Sequence, residues 1–109
     1  MTRFRGTGRV ELDVACWVGL GDGTRLRGHL LDLGLGGCRL AVDQPLPSGE
    51  PVAVEVEDMR LVGTMSRQEP GESGWVVALQ WAELPARQAA RLARWIASQP
   101  RTAPFDGAS

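Results

Sequence analysis

Asp32-Leu33-Gly34-Leu35-Gly36-Gly37 is the stretch that decides the fold of this chain. It places three glycines within four positions, after one apolar run and before another. Glycine tolerates positive φ angles and removes side chains from the path of another backbone or a ligand, while Asp32 leaves an acceptor at the mouth of the turn. We interpret the stretch as both a tight corner between two strands and a ledge for a ligand.

The segments around this corner have the two-residue periodicity of β-strands. Residues 25–33 lead into the corner, and residues 38–43 alternate apolar and polar side chains after it. Strict alternation over residues 10–18 predicts a half-buried strand, in which Trp17 faces outward. The Asp22-Gly23 pair then predicts a tight turn into the next strand.

Three further strands and one helix complete the predicted fold. Strand patterns occupy residues 52–57, 60–67 and 75–81, separated by turn residues, with Trp75 and Trp81 on the core side of the last strand. Leu92, Trp95 and Ile96 then recur at helical spacing after Pro85, with arginines on the opposite side. The prediction is an all-β fold, a six-stranded antiparallel barrel or sandwich covered by one C-terminal α-helix that ends before Pro100.

Length and composition indicate one globular domain. A chain of 109 residues buries a single core. We expect residues 1–9 to form a flexible arm, residues 10–98 the barrel and helix, and residues 99–109 a frayed tail. The first ten residues lack the apolar stretch of a signal peptide, and no run approaches the roughly 18 apolar residues of a membrane span. These features predict a cytoplasmic protein without membrane insertion.

The charge balance argues against a protein that coats nucleic acid. The formal net charge is -1, whereas that role normally needs a basic excess. A barrel that binds single-stranded nucleic acid would use exposed aromatic residues beside a basic groove, and the chain has no tyrosine and only two phenylalanines. We therefore expect no nucleic acid polymer as a partner.

The sequence offers little for catalysis or metal binding. His29 is the only histidine, the chain has neither lysine nor tyrosine, and no carboxylate pair stands out for acid–base chemistry. Cys16 and Cys38 are isolated in apolar segments, where reduced thiols act as small hydrophobic side chains. The glycines at 34–37 approximate a dinucleotide motif, but strand alternation follows them where that motif needs a helix. We expect neither an enzyme nor a resident cofactor or metal.

Two motifs taken together carry a family resemblance. Arg5 and Arg9 form an RxxxR pattern before the first strand, and Asp32 and Gly37 match [D/N]xSxxG at the corner between the second and third strands. With the order of six strands and a helix over residues 3–98, the chain resembles the PilZ family. The resemblance implies a six-stranded barrel that binds the bacterial second messenger cyclic di-GMP.

The resemblance assigns ligand-binding roles to Arg5, Arg9, Asp32, Gly34 and Gly37. Arginine presents a planar fork that pairs with phosphate or with guanine O6 and N7. Asp32 would accept hydrogen bonds from guanine or orient an arginine, and would cap the turn through an Asx-type bond in the free protein. Gly37 would let the ligand approach, and Arg39 offers a further positive charge outside the main site.

Gly34 departs from the family pattern, which has serine at this position. Losing one hydroxyl contact typically costs about 0.5–1.5 kcal/mol, or about 3 kcal/mol opposite a charge. Affinity would then fall by a factor of a few to about a hundredfold, with backbone amides of residues 34–37 still available to the ligand.

The resemblance implies a receptor that changes its surface on binding cyclic di-GMP and so regulates an unidentified protein partner. The alternative is a PilZ-like interaction adaptor that has lost nucleotide binding, for which Gly34 is the motivation.

Overall fold

The computed structural model describes residues 10–99, which form a closed antiparallel barrel and one helix. The order along the chain is β1 (Val10–Gly19), β2 (Arg25–Leu33), β3 (Gly37–Val42), β4 (Pro51–Val56), β5 (Met59–Pro70), β6 (Trp75–Trp81) and α1 (Ala86–Ser98). Around the barrel the strands follow the order β1-β2-β3-β6-β5-β4. The predicted six-stranded barrel with a C-terminal helix is confirmed. The predicted arm and all but the first residue of the predicted tail lie outside the described residues.

The longest difference from the predicted strand limits is in β5. The predicted strand ended at residue 67. The observed strand continues to Pro70, because its last residues still pair with the start of β6. A register shift between Met65 and Arg67 interrupts the pairing of these two strands. Such an irregularity bends a strand and increases its twist, as closure of a small barrel requires.

Alternating side chains of all six strands fill the barrel. Val18, Leu30, Leu40, Val54 and Leu61 are fully buried, which accounts for the two-residue periodicity of their strands. Both cysteines are buried and reduced, in agreement with their predicted role as small hydrophobic side chains. Burial raises the pKa of the Cys16 thiol to about 11, because the apolar surroundings disfavour the thiolate.

Two tight turns require backbone conformations with positive φ. Gly23 has φ 91° in the turn between β1 and β2, which confirms the predicted Asp-Gly turn. The pKa of Asp22 is lowered by hydrogen bonds from Thr24, first from its side chain and then from its backbone N–H, which the carboxylate accepts at 2.9 Å. Glu57 has φ 53° between β4 and β5, a conformation that favours glycine, asparagine or aspartate.

Helix α1 packs against the barrel through one apolar side. Leu92 is fully buried, and Trp95 and Ile96 pack against the same core, so the predicted stripe is confirmed. The Trp95 indole donates to the Glu57 carboxylate at 3.0 Å, and Arg91 forms an ion pair with Asp58. These contacts attach the helix to the turn between β4 and β5. Within residues 10–99 no helix has the length and apolar character to cross a membrane.

Candidate functional site

The corner between β2 and β3 is bonded to the end of β6 through Trp81. The Trp81 side chain donates from Nε1 to the carbonyl of Gly34 at 2.9 Å, and its backbone N–H donates to the carbonyl of Gly36 at 3.0 Å. Within the corner, the N–H of Gly34 donates to the carbonyl of Gly37 at 2.9 Å. Trp81 is 9% exposed, as its predicted core position requires. The corner is therefore fixed in place by a buried side chain.

Close packing, not positive φ, explains the glycine at position 37. Among residues 10–99 the glycines with positive φ are Gly23, Gly49 and Gly74, so the predicted use of positive φ at this corner is wrong. A Cβ atom on Gly37 would lie 2.0 Å from the carbonyl oxygen of Leu79 on β6. Only glycine lets β3 approach β6 this closely. By contrast, a Cβ on Gly36 would meet no atom within 4 Å.

Asp32 lies buried at the mouth of the corner and binds Arg39 on the neighbouring strand. Its side chain is 6% exposed; Oδ1 accepts the Arg39 backbone N–H at 3.1 Å and Oδ2 accepts Arg39 Nε at 2.5 Å. The two residues are cross-strand partners in the β2–β3 ladder. An Asx-type bond would join the Asp32 side chain to a backbone N–H of its own turn. That prediction is wrong, because the N–H that Asp32 accepts belongs to Arg39 on the opposite strand. One carboxylate oxygen thus binds the backbone of Arg39, and the other holds its guanidinium through a charge-assisted hydrogen bond from Nε.

Arg39 and Arg67 flank a small cleft beside this ion pair. Both pair with Ala78 of β6, from opposite sides, and with Glu69 and Val76 they line a cavity of about 140 Å³. The Arg39 side chain is 49% exposed and that of Arg67 is 71% exposed. Two guanidinium groups beside an alanine floor offer donors and flat faces to a phosphate or a planar base. Arg39 was predicted to lie outside the main site, and no sequence pattern pointed to Arg67.

The structure brings together three of the five predicted site residues. Asp32, Gly34 and Gly37 all lie in the corner, whereas Arg5 and Arg9 lie outside the described residues. The first described residues that follow the RxxxR motif run beside the corner, since Val10 is the cross-strand partner of Leu33. Arg9, the last residue of the RxxxR motif, directly precedes Val10 in the sequence and hence this pairing.

The backbone of the corner has fewer free amides than the sequence analysis expected. The Gly34 N–H is used within the corner, and Gly37 belongs to the β3–β6 ladder. Within residues 10–99, the amides of Leu35 and Gly36 have no backbone acceptor, and both residues are exposed. Of the backbone amides at 34–37, that of Gly34 is already bonded within the protein, and those of Leu35 and Gly36 lie at exposed positions.

A larger cavity on another face of the barrel contains none of the predicted site residues. The cavity measures about 580 Å³. On its surface, the centre of the Trp17 ring lies 4.5 Å from the guanidinium carbon of Arg25 and 5.3 Å from that of Arg27. Trp17 is 38% exposed, which confirms its predicted outward orientation. In the described part of the chain, no group of three or more histidine, cysteine, aspartate or glutamate residues could hold a metal ion.

Comparison with solved structures shows PilZ domains with this fold. The PilZ domain of YcgR from Escherichia coli, solved with c-di-GMP, is 22% identical, with a TM-score of 0.66 over 88% of this chain and 91% of that domain. The PilZ domain of CeSA from a cellulose-synthesizing bacterium is 21% identical, with a TM-score of 0.65 over 81% of this chain and 93% of the other. At these identities the likeness concerns the fold.

Longer proteins contain the same barrel as one part. YcgR from Escherichia coli in complex with c-di-GMP is 19% identical, with a TM-score of 0.68, and the match covers 89% of this chain but 46% of YcgR. No curated protein matches the sequence. The model of the PilZ domain family matches residues 3–98, which include the six strands, the helix and both motifs. The chain therefore belongs to the PilZ domain family.

Proposed function

We propose that this chain is a cyclic di-GMP receptor whose nucleotide site is the corner between β2 and β3 together with the RxxxR motif. Arg5 and Arg9 bind the phosphates and guanine edges of the ligand, and Asp32 and Gly34 form the opposite wall. The family match and the c-di-GMP complexes of the related barrels support this assignment. The receptor acts through binding and not through catalysis.

The observation that carries the proposal is the pairing of the start of β1 with the end of β2 at the corner. Val10 pairs with Leu33 and Glu11 pairs with Asp32, so the chain that follows Arg9 runs beside the corner from its first described residue. Arg39 adds an oriented guanidinium on the neighbouring strand, at 2.5 Å from Asp32. Arginine forks near a buried carboxylate suit a ligand that combines phosphate charge with guanine hydrogen-bonding edges.

Regulation follows from the location of the arginine pair before the first strand. Residues 1–9 close over the corner when the ligand is bound, and the surface that a protein partner meets changes as a result. Ordering of a segment by a charged ligand is a common switching mechanism in proteins.

Isothermal titration calorimetry with cyclic di-GMP tests the site. The double variant Arg5→Ala/Arg9→Ala should lose binding while its thermal melt stays nearly unchanged, because both arginines precede β1 in the sequence. The control variant Arg27→Ala/Arg87→Ala removes two guanidinium groups from exposed positions elsewhere and should bind as the original chain does. Undiminished affinity of the first variant would refute the assignment of Arg5 and Arg9.

A second candidate function rests on Gly34. This residue is buried and both of its backbone polar groups are bonded within the protein, so its amide cannot replace the missing serine hydroxyl. The corresponding function is a PilZ-like adaptor that contacts protein partners without binding nucleotide. An absence of binding heat at millimolar cyclic di-GMP supports this adaptor, and tight binding eliminates it.

A further inference from the structure

Helix α1 carries a row of three arginines on the side that faces away from the barrel core. Arg87, Arg91 and Arg94 are exposed and follow the spacing i, i+4 and i+7, whereas Leu92 on the opposite side is fully buried. At about 100° per residue these three positions lie within roughly 60° of one another around the helix axis and span about 10 Å along it. We call Arg87, Arg91 and Arg94 the arginine row.

The arginine row concentrates positive charge on a protein that is otherwise acidic. Helix α1 contains three arginines and no aspartate or glutamate, while the whole chain has a net charge of -1. The remainder of the chain is therefore net negative. A patch of this kind attracts an anionic group over a short distance, since screening limits exposed charges to about 8 Å at physiological salt.

Most of the hydrogen-bonding capacity of the row remains unused by the described part of the protein. Arg91 forms an ion pair with Asp58, whereas Arg87 and Arg94 form no ion pair within residues 10–99. Each guanidinium has five N–H donors in a planar arrangement that fits a carboxylate with two parallel bonds. The row can therefore bind carboxylates without breaking contacts of the fold.

The location of these arginines is unfavourable for the helix itself. The first turn of α1 contains no acidic residue, Pro85 provides no side-chain cap, and Arg87 stands near the positive end of the helix dipole. The last turn, where basic residues would stabilise the helix, contains none. Departures from local preference occur in proteins mainly where function requires them.

We propose that the arginine row is a docking surface for an acidic helix of a partner protein, with carboxylates every three to four residues. The row is one residue wide and about two turns long, and a second helix presents side chains at the same repeat. A membrane surface or a nucleic acid is a wider polyanion, which would also meet the carboxylates of Glu57 and Asp58 that contact helix α1. Charge complementarity thus favours a short acidic helix.

This surface is distinct from the nucleotide site. Within the described residues, no hydrogen bond or ion pair joins the arginine row to the corner at 32–37. Docking is therefore measurable with no cyclic di-GMP present, and failure of the nucleotide proposal would leave the docking proposal unaffected.

Fluorescence anisotropy with a labelled peptide tests the docking surface. The probe is an alanine-based helical peptide of about 15 residues with glutamates at i, i+4 and i+7, and its counterpart carries glutamine at these positions. The glutamate peptide should bind, the glutamine peptide should not, and added salt should weaken the complex. The variant Arg87→Gln/Arg94→Gln should bind the glutamate peptide about tenfold more weakly, as expected for two exposed ion pairs.

A matched control separates the row from the overall charge. The variant Arg25→Gln/Arg27→Gln removes the same charge from exposed positions on β2 and should bind the glutamate peptide within about twofold of the original chain. Equal losses in both variants would overturn the proposal, as would no binding of the glutamate peptide. The proposal is also overturned if the Arg87→Gln/Arg94→Gln change reduces only binding to anionic vesicles or single-stranded RNA, or only self-association of the chain.

Discussion

Replacing Gly37 with alanine should destabilise the barrel strongly, whereas the same change at Gly36 should not. A Cβ on Gly37 would lie 2.0 Å from the Leu79 carbonyl oxygen, whereas one on Gly36 would have no atom within 4 Å. The obstacle at position 37 is backbone, so no side-chain rotation can relieve it. The pair of variants thus differs in packing alone, since neither glycine has a positive φ.

The magnitude follows from what must move. An ordinary contact between a methyl carbon and an oxygen is about 3.4 Å or more, so β3 and β6 would have to separate by more than 1 Å. Overpacking of this kind costs about 1–3 kcal/mol, and loss of one ladder hydrogen bond adds about 1 kcal/mol. For Gly37→Ala we expect a loss of about 2–4 kcal/mol in the free energy of unfolding, which lowers the melting temperature by roughly 8–16 °C.

Urea denaturation and thermal melts of the two variants measure this difference. Gly36→Ala should change the free energy of unfolding by no more than about 0.5–1 kcal/mol, and in the stabilising direction, because alanine restricts the unfolded chain. Equal melting temperatures for both variants would refute the close packing of β3 on β6. A large loss in Gly36→Ala would likewise contradict the open space at that position.

Three further changes test the corner and the core. Trp81→Phe removes the donor to the Gly34 carbonyl and leaves that buried oxygen unsatisfied, so urea denaturation should show a loss of about 1–3 kcal/mol. Gly34→Ser should strengthen cyclic di-GMP binding by about three- to tenfold in calorimetry, and Gly36→Ser, at an exposed position, should not. Because burial raises the pKa of Cys16 to about 11, the unfolded chain loses this thiol proton first, and stability should fall from about pH 9 to pH 11. Thermal melts over this range should show a weaker pH dependence for Cys16→Ala.

The barrel and its helix could be predicted from the sequence because their signals are local. Alternation places Leu30 and Leu40 inside the barrel, and Leu92 lies on the apolar side of the helix. The positive φ of Gly23 followed in the same way from an Asp-Gly pair between two strands. The end of β5 could not be predicted in this way. Residues 68–70 belong to the strand because they pair with β6, and they show no alternation of their own.

The contacts of the candidate site could not be predicted, since they depend on the register between strands. Arg39 meets Asp32 because a register irregularity in the β2–β3 ladder puts them opposite each other. Arg67 approaches Arg39 only through their common partner Ala78 on β6. Sequence spacing cannot place residues on three separate strands beside one another, even when each strand is identified correctly.

Two different requirements, those of the fold and those of a ligand, can account for the residues of the glycine-rich motif. Gly37 is explained by the fold alone, because β6 leaves no room for a side chain. Asp32 is explained in part by its bonds to Arg39. The match at these two positions therefore follows from the barrel as much as from a ligand. The RxxxR motif lies outside the described residues. Titration of the original chain beside the Arg5→Ala/Arg9→Ala variant therefore decides between receptor and adaptor more directly than any change in the corner.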